Sequence, residues 1–296
     1  MADDQMLKVL ITGANGMLGR TLNRVLSGDF CVIPTDLHEA DITDQEAFSA
    51  VVKKYAPDVV IHCAAMVQVD DCETLREKAF RINAEGTRNV AECCAQNNIR
   101  LIAISTDYVF DGKSDTPYSE YDAPGNAATV YGKSKFAGEE AVRELLPDNS
   151  VICRISWLYG DGGPSFVHTM LKLAASGKTN LKVVNDQFGN PTSTDAVAGA
   201  IRNILSRREL TGVFHLTCEG VTTWMDFARK IFEFAGIDCT VNGCTTEEFP
   251  RPAPRPRFSA LEKRRLREEN LPPMPHWEEA LRVFINQQFN QQGVSK

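Results

Sequence analysis

The chain has no run approaching the ~20 apolar residues that a membrane-spanning helix needs, and no membrane partner is expected. Its nine cysteines include no C-x-x-C pair, which removes the commonest zinc and dithiol redox motifs. Its five histidines show no H-x-x-x-H or similar pairing, so no metal site is expected from the residues. Positive charge is short as well. A formal net charge of −7 argues against a nucleic-acid binder working through a basic surface. It says nothing against an anionic small molecule, which needs only a local cationic pocket. Met1-Ala2-Asp3-Asp4-Gln5 is acidic and leads into a short apolar run, without the basic start and longer apolar stretch of a signal peptide. A cytoplasmic protein is expected. Cys63, Cys93 and Cys153 lie inside apolar runs, where a reduced cysteine packs as a small hydrophobe, and reduced thiols suit that compartment.

What is present is an ordinary globular composition, 43% apolar and 24% charged over 296 residues, ample for a large core. Val9-Leu10-Ile11, Val59-Val60-Ile61, Leu101-Ile102-Ala103-Ile104 and Val151-Ile152-Cys153 read as buried parallel strands. Helical patterns lie between them at Met17–Leu26, Asp44–Tyr55, Ala84–Gln96 and Tyr131–Leu146. This alternation predicts an α/β fold, a Rossmann doubly wound parallel sheet. Cys31–Thr35 is the expected second strand, although Pro34 requires that its missing N–H face no neighbour. After about Gly160 the alternation loosens. Helices are expected at Phe166–Ala175 and Trp224–Ala235 and a strand at Val213–Leu216. Arg251–Arg257 carries three prolines and cannot be regular. Residues 1–160 are expected to form the dinucleotide-binding domain, with one further strand and helix returning from about 192–218. Residues 161–296 are expected to form mainly a smaller α/β substrate lobe.

The strand candidate Lys8–Thr12 runs straight into Gly13-Ala14-Asn15-Gly16-Met17-Leu18-Gly19. A strand ending in glycines before a helix is the context a dinucleotide fingerprint requires. Glycine lets backbone N–H groups approach a pyrophosphate, and the helix N-terminus adds a favourable dipole. The G-x-x-G-x-x-G spacing is that of short-chain dehydrogenases. Asp36 follows the second strand candidate, about 20 residues on, where a carboxylate binds the adenosine ribose. It favours NAD, whereas Arg20 just past the last glycine favours NADP, so either NADPH or NADH is expected to serve.

Tyr131 and Lys135 are four residues apart in a helical stretch and therefore share a face. A free tyrosine hydroxyl has a pKa of about 10, and a neighbouring ammonium is expected to lower it. Such a pair alone is common by chance. Its weight comes from Ser105-Thr106-Asp107 at the carboxyl end of the Leu101–Ile104 strand, where open α/β sheets place their ligands. Thr106 there can hydrogen-bond a substrate carbonyl. His62, inside an apolar strand, reads as a satisfied core residue.

Over nearly its whole length the chain resembles the dTDP-4-dehydrorhamnose reductases. The matching segments are Ile11–Arg20, Pro57–Glu73, Ser105–Gly112, Tyr131–Glu139, Arg154–Gly160 and Val184–Gly189. The resemblance implies reduction of the C4 carbonyl of dTDP-4-dehydro-β-L-rhamnose in dTDP-rhamnose synthesis for surface polysaccharides. It implies cofactor contacts at Gly13, Gly16, Met17, Leu18, Gly19, Asp36, Asp41 and Ile42, with Ala64, Ala65 and Met66 along the far half. Tyr131 would be the proton donor and Lys135 its partner on the nicotinamide ribose. Val67, Thr106, Asp107 and Trp157 would contact the nucleotide sugar. Magnesium is implied by the resemblance alone.

Met66-Val67 stand where the family often has an aromatic residue followed by threonine, and Ile155 replaces a usual threonine. Arg251, Arg255 and Arg257 are either diphosphate ligands or part of a solvated loop. Two rival readings share the scaffold. One is a nucleotide-sugar epimerase or dehydratase, although Tyr108 after Asp107 is not the glutamate of a 4,6-dehydratase. The other is a non-catalytic, NADP-binding regulatory subunit of methionine adenosyltransferase. The oligomeric state, a homodimer included, stays open.

Overall fold

The computed structural model describes residues 6–291; the acidic start Met1–Gln5 lies outside them. In chain order the first half runs β1 (Lys8–Thr12), α1 (Met17–Leu26), β2 (Cys31–Thr35), α2 (Gln45–Tyr55), β3 (Val59–His62), α3 (Val69–Thr74) and α4 (Arg76–Phe80). A wide π-type turn, Arg81–Gly86, then leads into α5 (Thr87–Gln96), β4 (Arg100–Thr106), α6 (Val130–Leu145) and β5 (Ser150–Ile155). The second half contributes β6 (Leu158–Tyr159), α7 (Phe166–Ala175), β7 (Asn180–Val184), β8 (Phe188–Gly189), β9 (Thr192–Ser193) and α8 (Thr194–Leu205). It ends with β10 (Gly212–His215), β11 (Thr222–Thr223), α9 (Trp224–Ala235), β12 (Thr240–Cys244), α10 (Arg264–Glu268) and α11 (Trp277–Gln291).

β10, β5, β4, β3, β1 and β2 form, in that order, one six-stranded sheet, parallel at every pairing. Both faces are covered, which is why its strands read as unbroken apolar runs. Val9, Ile11, Val59, Ile61, Ile102, Ile104, Val151 and Cys153 point to one core, where Leu18, Leu22 and Leu26 of α1 meet Val197, Ile201 and Ile204 of α8. Leu10, Val60, Leu101, Ala103 and Ile152 point to the other, against α2, α5 and α6 through Phe48, Val52, Val90, Cys94 and Val142. This strict alternation is the period of two expected of a pleated strand. β2 closes the sheet as an edge strand, and its edge position gives Pro34 the place where the missing N–H costs no ladder bond.

α2 starts where its cap stands, the Asp44 carboxylate accepting the Ala47 N–H at 3.0 Å. Arg251–Arg257 carries neither helix nor strand. The nine cysteines are all free. No helix among the described residues is long and apolar enough to cross a membrane.

A second core forms around α7, α9 and α11, where Tyr159, Phe227, Phe232, Trp277 and Phe284 are buried together. The short pairs β7–β12, β6–β9 and β8–β11 surround it. Phe227 is fully buried, 5.7 Å from the Tyr159 ring and 5.8 Å from Trp277. Phe227→Ala should cost about 3–5 kcal/mol of stability, read by chemical denaturation. A loss under about 1 kcal/mol would show that this second core does not depend on the aromatic cluster.

Candidate active site

β1 ends between β3 and the edge strand β2, and the chain turns there through Gly13 at φ +65°. A Cβ at Gly13 would stand 2.7 Å from the Ala64 backbone nitrogen, so the turn lies directly on the loop after β3 and only glycine fits it. α1 then begins at Gly16 with no side chain capping its first turn and no acidic residue within it. Those open N–H groups, at the positive end of a helix, suit an anionic ligand. They face a cavity of about 860 Å³ lined by Gly13, Gly16, Met17, Leu18 and Gly19, then by Asp36, Asp41 and Ile42, and farther on by Ala64, Ala65, Val67, Tyr131 and Lys135. The Asp36 carboxylate accepts the Asn15 and Leu37 N–H groups, each at 2.8 Å, which ties the end of β2 to the glycine turn. Arg20 is outside the cavity lining. Its Nε donates to the Asn15 carbonyl at 2.8 Å, and its side chain lies against Gly162.

At the opposite end the first turn of α6 meets the carboxyl end of β4. The Thr129 hydroxyl caps the helix, accepting the Gly132 N–H at 2.9 Å. A Cβ at Gly132 would fall 2.1 Å from the Tyr108 carbonyl oxygen, so glycine beside Tyr131 is what lets the helix press onto the Asp107–Val109 turn. The Tyr131 ring packs edge-on against Tyr108, centroids 5.6 Å apart. Lys135 is buried, and its Nζ donates to the Ile104 carbonyl at 2.7 Å. Thr106 and Asp107 are also buried, one layer behind the cavity wall. The Thr106 hydroxyl donates to Asp107 Oδ1 at 3.0 Å and accepts the Tyr108 N–H at 3.2 Å.

Burial sets the protonation states. It raises the Tyr131 phenol well above its usual range, against the pull of the adjacent Thr106 hydroxyl. The expectation that the lysine would lower the phenol is therefore not met: desolvation outweighs it, and the ammonium is turned to Ile104. Burial lowers Lys135 to about 8, opposed by Glu139, and raises Asp107 to about 6 against the neighbouring Ser259 and Thr106 hydroxyls. His62 falls to about 3 through burial and the Lys135 charge. Its neutral ring is satisfied on both sides, by Thr12 at 2.8 Å and Thr87 at 3.1 Å.

Four expected contacts lie outside the cavity lining: Thr106 and Asp107, and also Met66 and Trp157. Met66 does not line the cavity; it packs with Cys72, Ala79 and Val130 behind the Tyr131 ring. Asn83, from the π-type turn, holds it there: its amide bonds the Met66 N–H at 2.8 Å and the Met66 carbonyl at 3.0 Å, and donates to Ser134 of α6 at 3.0 Å. Nothing local in the sequence signals that role for Asn83. Trp157 is likewise outside the lining. Its backbone is left-handed at φ +44°, a strained state for an aromatic residue, and its indole stacks on Trp224 at 3.6 Å against Gly189. Of the arginines, Arg255 pairs with Asp70 at 2.8 Å, Arg251 stacks on Phe249, and Arg257 bonds the Ser114 carbonyl and Asp115.

The family model described as RmlD substrate binding domain matches residues 7–289. The spore coat polysaccharide biosynthesis protein SpsK of Bacillus subtilis is 41% identical over 95% of this chain and 98% of its own. The solved dTDP-4-dehydrorhamnose reductase of Clostridium acetobutylicum superposes with a TM-score of 0.92 at 43% identity, covering 96% of this chain and 100% of that one. The chain belongs to the dTDP-4-dehydrorhamnose reductase family. The Bacillus anthracis dTDP-4-dehydrorhamnose reductase, solved with NADP, also superposes at 0.92 with 38% identity, covering 96% of this chain and 100% of its own.

For a member of the dTDP-4-dehydrorhamnose reductase family, the cavity fits a dinucleotide: an uncapped helix start, a turn no side chain could share, and a carboxylate at the far strand end. Among the described residues no group of three or more His, Cys, Asp or Glu is placed to hold a metal ion, and no residue or step is assigned to magnesium. The raised phenol gives a direct check on the protein without cofactor. The difference between wild type and Tyr131→Phe in the ultraviolet phenolate band should stay flat up to about pH 10. A phenolate titrating below that pH would overturn the dominance of burial.

Proposed function

We propose that the protein reduces the C4 carbonyl of dTDP-4-dehydro-β-L-rhamnose to give dTDP-L-rhamnose, using NADPH or NADH. The observation that carries this reading is the placement of Tyr131 and Lys135 on the wall of the cavity that begins at the glycine turn, with the Thr106 hydroxyl behind the phenol. Residues 1–160, with the strand and helix returning at 192–218, serve the cofactor in this proposal, and residues 161–296 mainly serve the sugar nucleotide. The nine free thiols accord with work in a reducing, cytoplasmic setting.

The turn at Gly13 and the first turn of α1 would hold the diphosphate of the cofactor, Asp36 its adenosine ribose and Lys135 its nicotinamide ribose. When bound, the nicotinamide supplies the hydride. Tyr131, kept neutral by burial, is then a proton donor for the carbonyl oxygen, and Thr106 holds that oxygen beside it. Val67 at the cavity, Asp107 next to Thr106, and Trp157, which packs against the second core, are the proposed substrate contacts. Met66 supports the Tyr131 ring from behind.

Tyr131→Phe keeps the ring and removes the donor, so hydride transfer in stopped flow should slow by at least about 10²-fold. Cofactor affinity should change little. Transfer at the wild-type rate would exclude Tyr131 as donor and favour the non-catalytic, partner-binding alternative. For the coenzyme, the Asp36 carboxylate opposes a 2′-phosphate, so Asp36→Ala should raise the NADPH over NADH ratio of kcat/KM. In wild type that ratio should stay within about a thousandfold, roughly 4 kcal/mol. A larger preference, or no response to Asp36→Ala, would show that another group sets the choice.

A further inference from the structure

One buried cluster beneath the cavity is left unused by the chemistry above. Glu139 lies four residues past Lys135 and eight past Tyr131, on the same face of α6. Its carboxylate is buried and accepts four donors. Arg154 of β5 gives Nε at 2.9 Å and Nη2 at 2.7 Å, Arg143 gives Nη2 at 2.6 Å, and the Ser105 hydroxyl of β4 sits at 2.5 Å. Arg154 is itself buried under the Phe110 ring, with His215 of β10 at 3.4 Å. Ser105 stands between Ile104, whose carbonyl receives Lys135, and Thr106, which meets Tyr131.

We propose that Glu139 is a positioning residue for the reaction: through Ser105 and Arg154 it fixes the carboxyl end of β4 against α6, and its negative charge behind Lys135 keeps that side chain an ammonium. The inference rests on the reductase reading above. Lys135 interacts with the Glu139 carboxylate of α6, with His62 of β3 and Cys63 just after that strand, and with the Ile104 carbonyl of β4, and Tyr131 lies one turn before it on α6. His62 is neutral, and burial raises the Cys63 thiol to about 12. Glu139 is thus the carboxylate that acts on Lys135 among the described residues, and it opposes the desolvation that lowers the lysine to about 8. Arg154, next to His215, holds Glu139 ionised together with Arg143.

Removing the carboxylate charge lets burial lower Lys135 further, and it leaves Arg154 and Arg143 as added repulsion. Activity that needs the ammonium is lost as pH rises through the lysine's pKa, so Glu139→Gln should move the alkaline limb of kcat to lower pH by about one pH unit. A second readout needs no turnover. The reactivity of Lys135 toward acetic anhydride, followed by mass spectrometry across pH, should show the same displacement.

A purely structural ion pair predicts a lower melting temperature with both pH curves unmoved, and that result in folded Glu139→Gln would overturn the proposal. Should Glu139→Gln not fold, Ser105→Ala keeps the ion pair and cuts only the tie to β4. It should lower kcat about tenfold with KM for both substrates nearly unchanged, since small displacements at reacting groups cost rate. Wild-type kcat in Ser105→Ala would then overturn the proposal. A wild-type protein that does not turn over the sugar nucleotide would fail the reductase reading instead, while the labelling curves still decide the charge effect of Glu139.

Discussion

Three consecutive residues at the end of β4 meet three residues spaced four apart on α6, and the site depends on that seam. The Ile104 carbonyl accepts from Lys135, the Ser105 hydroxyl donates to Glu139, and Thr106 stands by Tyr131. Such contacts require the helix to lie close against the strand end. Gly132, with no room for a Cβ against the Tyr108 carbonyl, permits the approach. Thr129 sets where the helix begins. Were the helix lifted by one side-chain layer, the phenol would leave the strand end and the lysine would lose its carbonyl.

Burial, more than neighbouring charge, sets the state of the neutral groups along this seam. The phenol is kept protonated, His62 neutral and the Cys63 thiol neutral, each chiefly by desolvation. Lys135 and Glu139 are the groups of the seam that carry charge near neutrality: a carbonyl stands at the lysine's tip, and Arg154 and Arg143 hold the carboxylate ionised against burial. A neutral phenol beside a cation and a hydroxyl is suited to delivering a proton to a carbonyl oxygen as negative charge develops there.

Much of the sheet was legible in the residues because its information is local. Apolar runs marked five of its strands, Pro34 marked the edge, Asp44 marked the start of α2, and the glycine turn announced the helix behind it. Packing set by partners distant in the chain was not legible in the same way. Met66 turns inward because Asn83 grips its backbone, and Trp157 faces Trp224 because β8 brings Gly189 beneath it. The Glu139–Arg154 pair joins a helix to the next strand, and its only local sign was a charged residue inside the apolar run of β5. The rise of the phenol was unreadable for the same reason, since desolvation is a property of everything packed around it.

The central claim, hydride delivery to the C4 carbon of a nucleotide-linked 4-keto sugar, is tested most directly by isotope transfer. The protein is incubated with dTDP-4-dehydro-β-L-rhamnose and reduced nicotinamide cofactor deuterated at the transferring position, and the product is analysed by mass spectrometry and proton NMR. The account predicts one deuterium, at C4 of a dTDP-L-rhamnose product. Recovery of the unreduced keto sugar, or of a product without deuterium at C4, would contradict it.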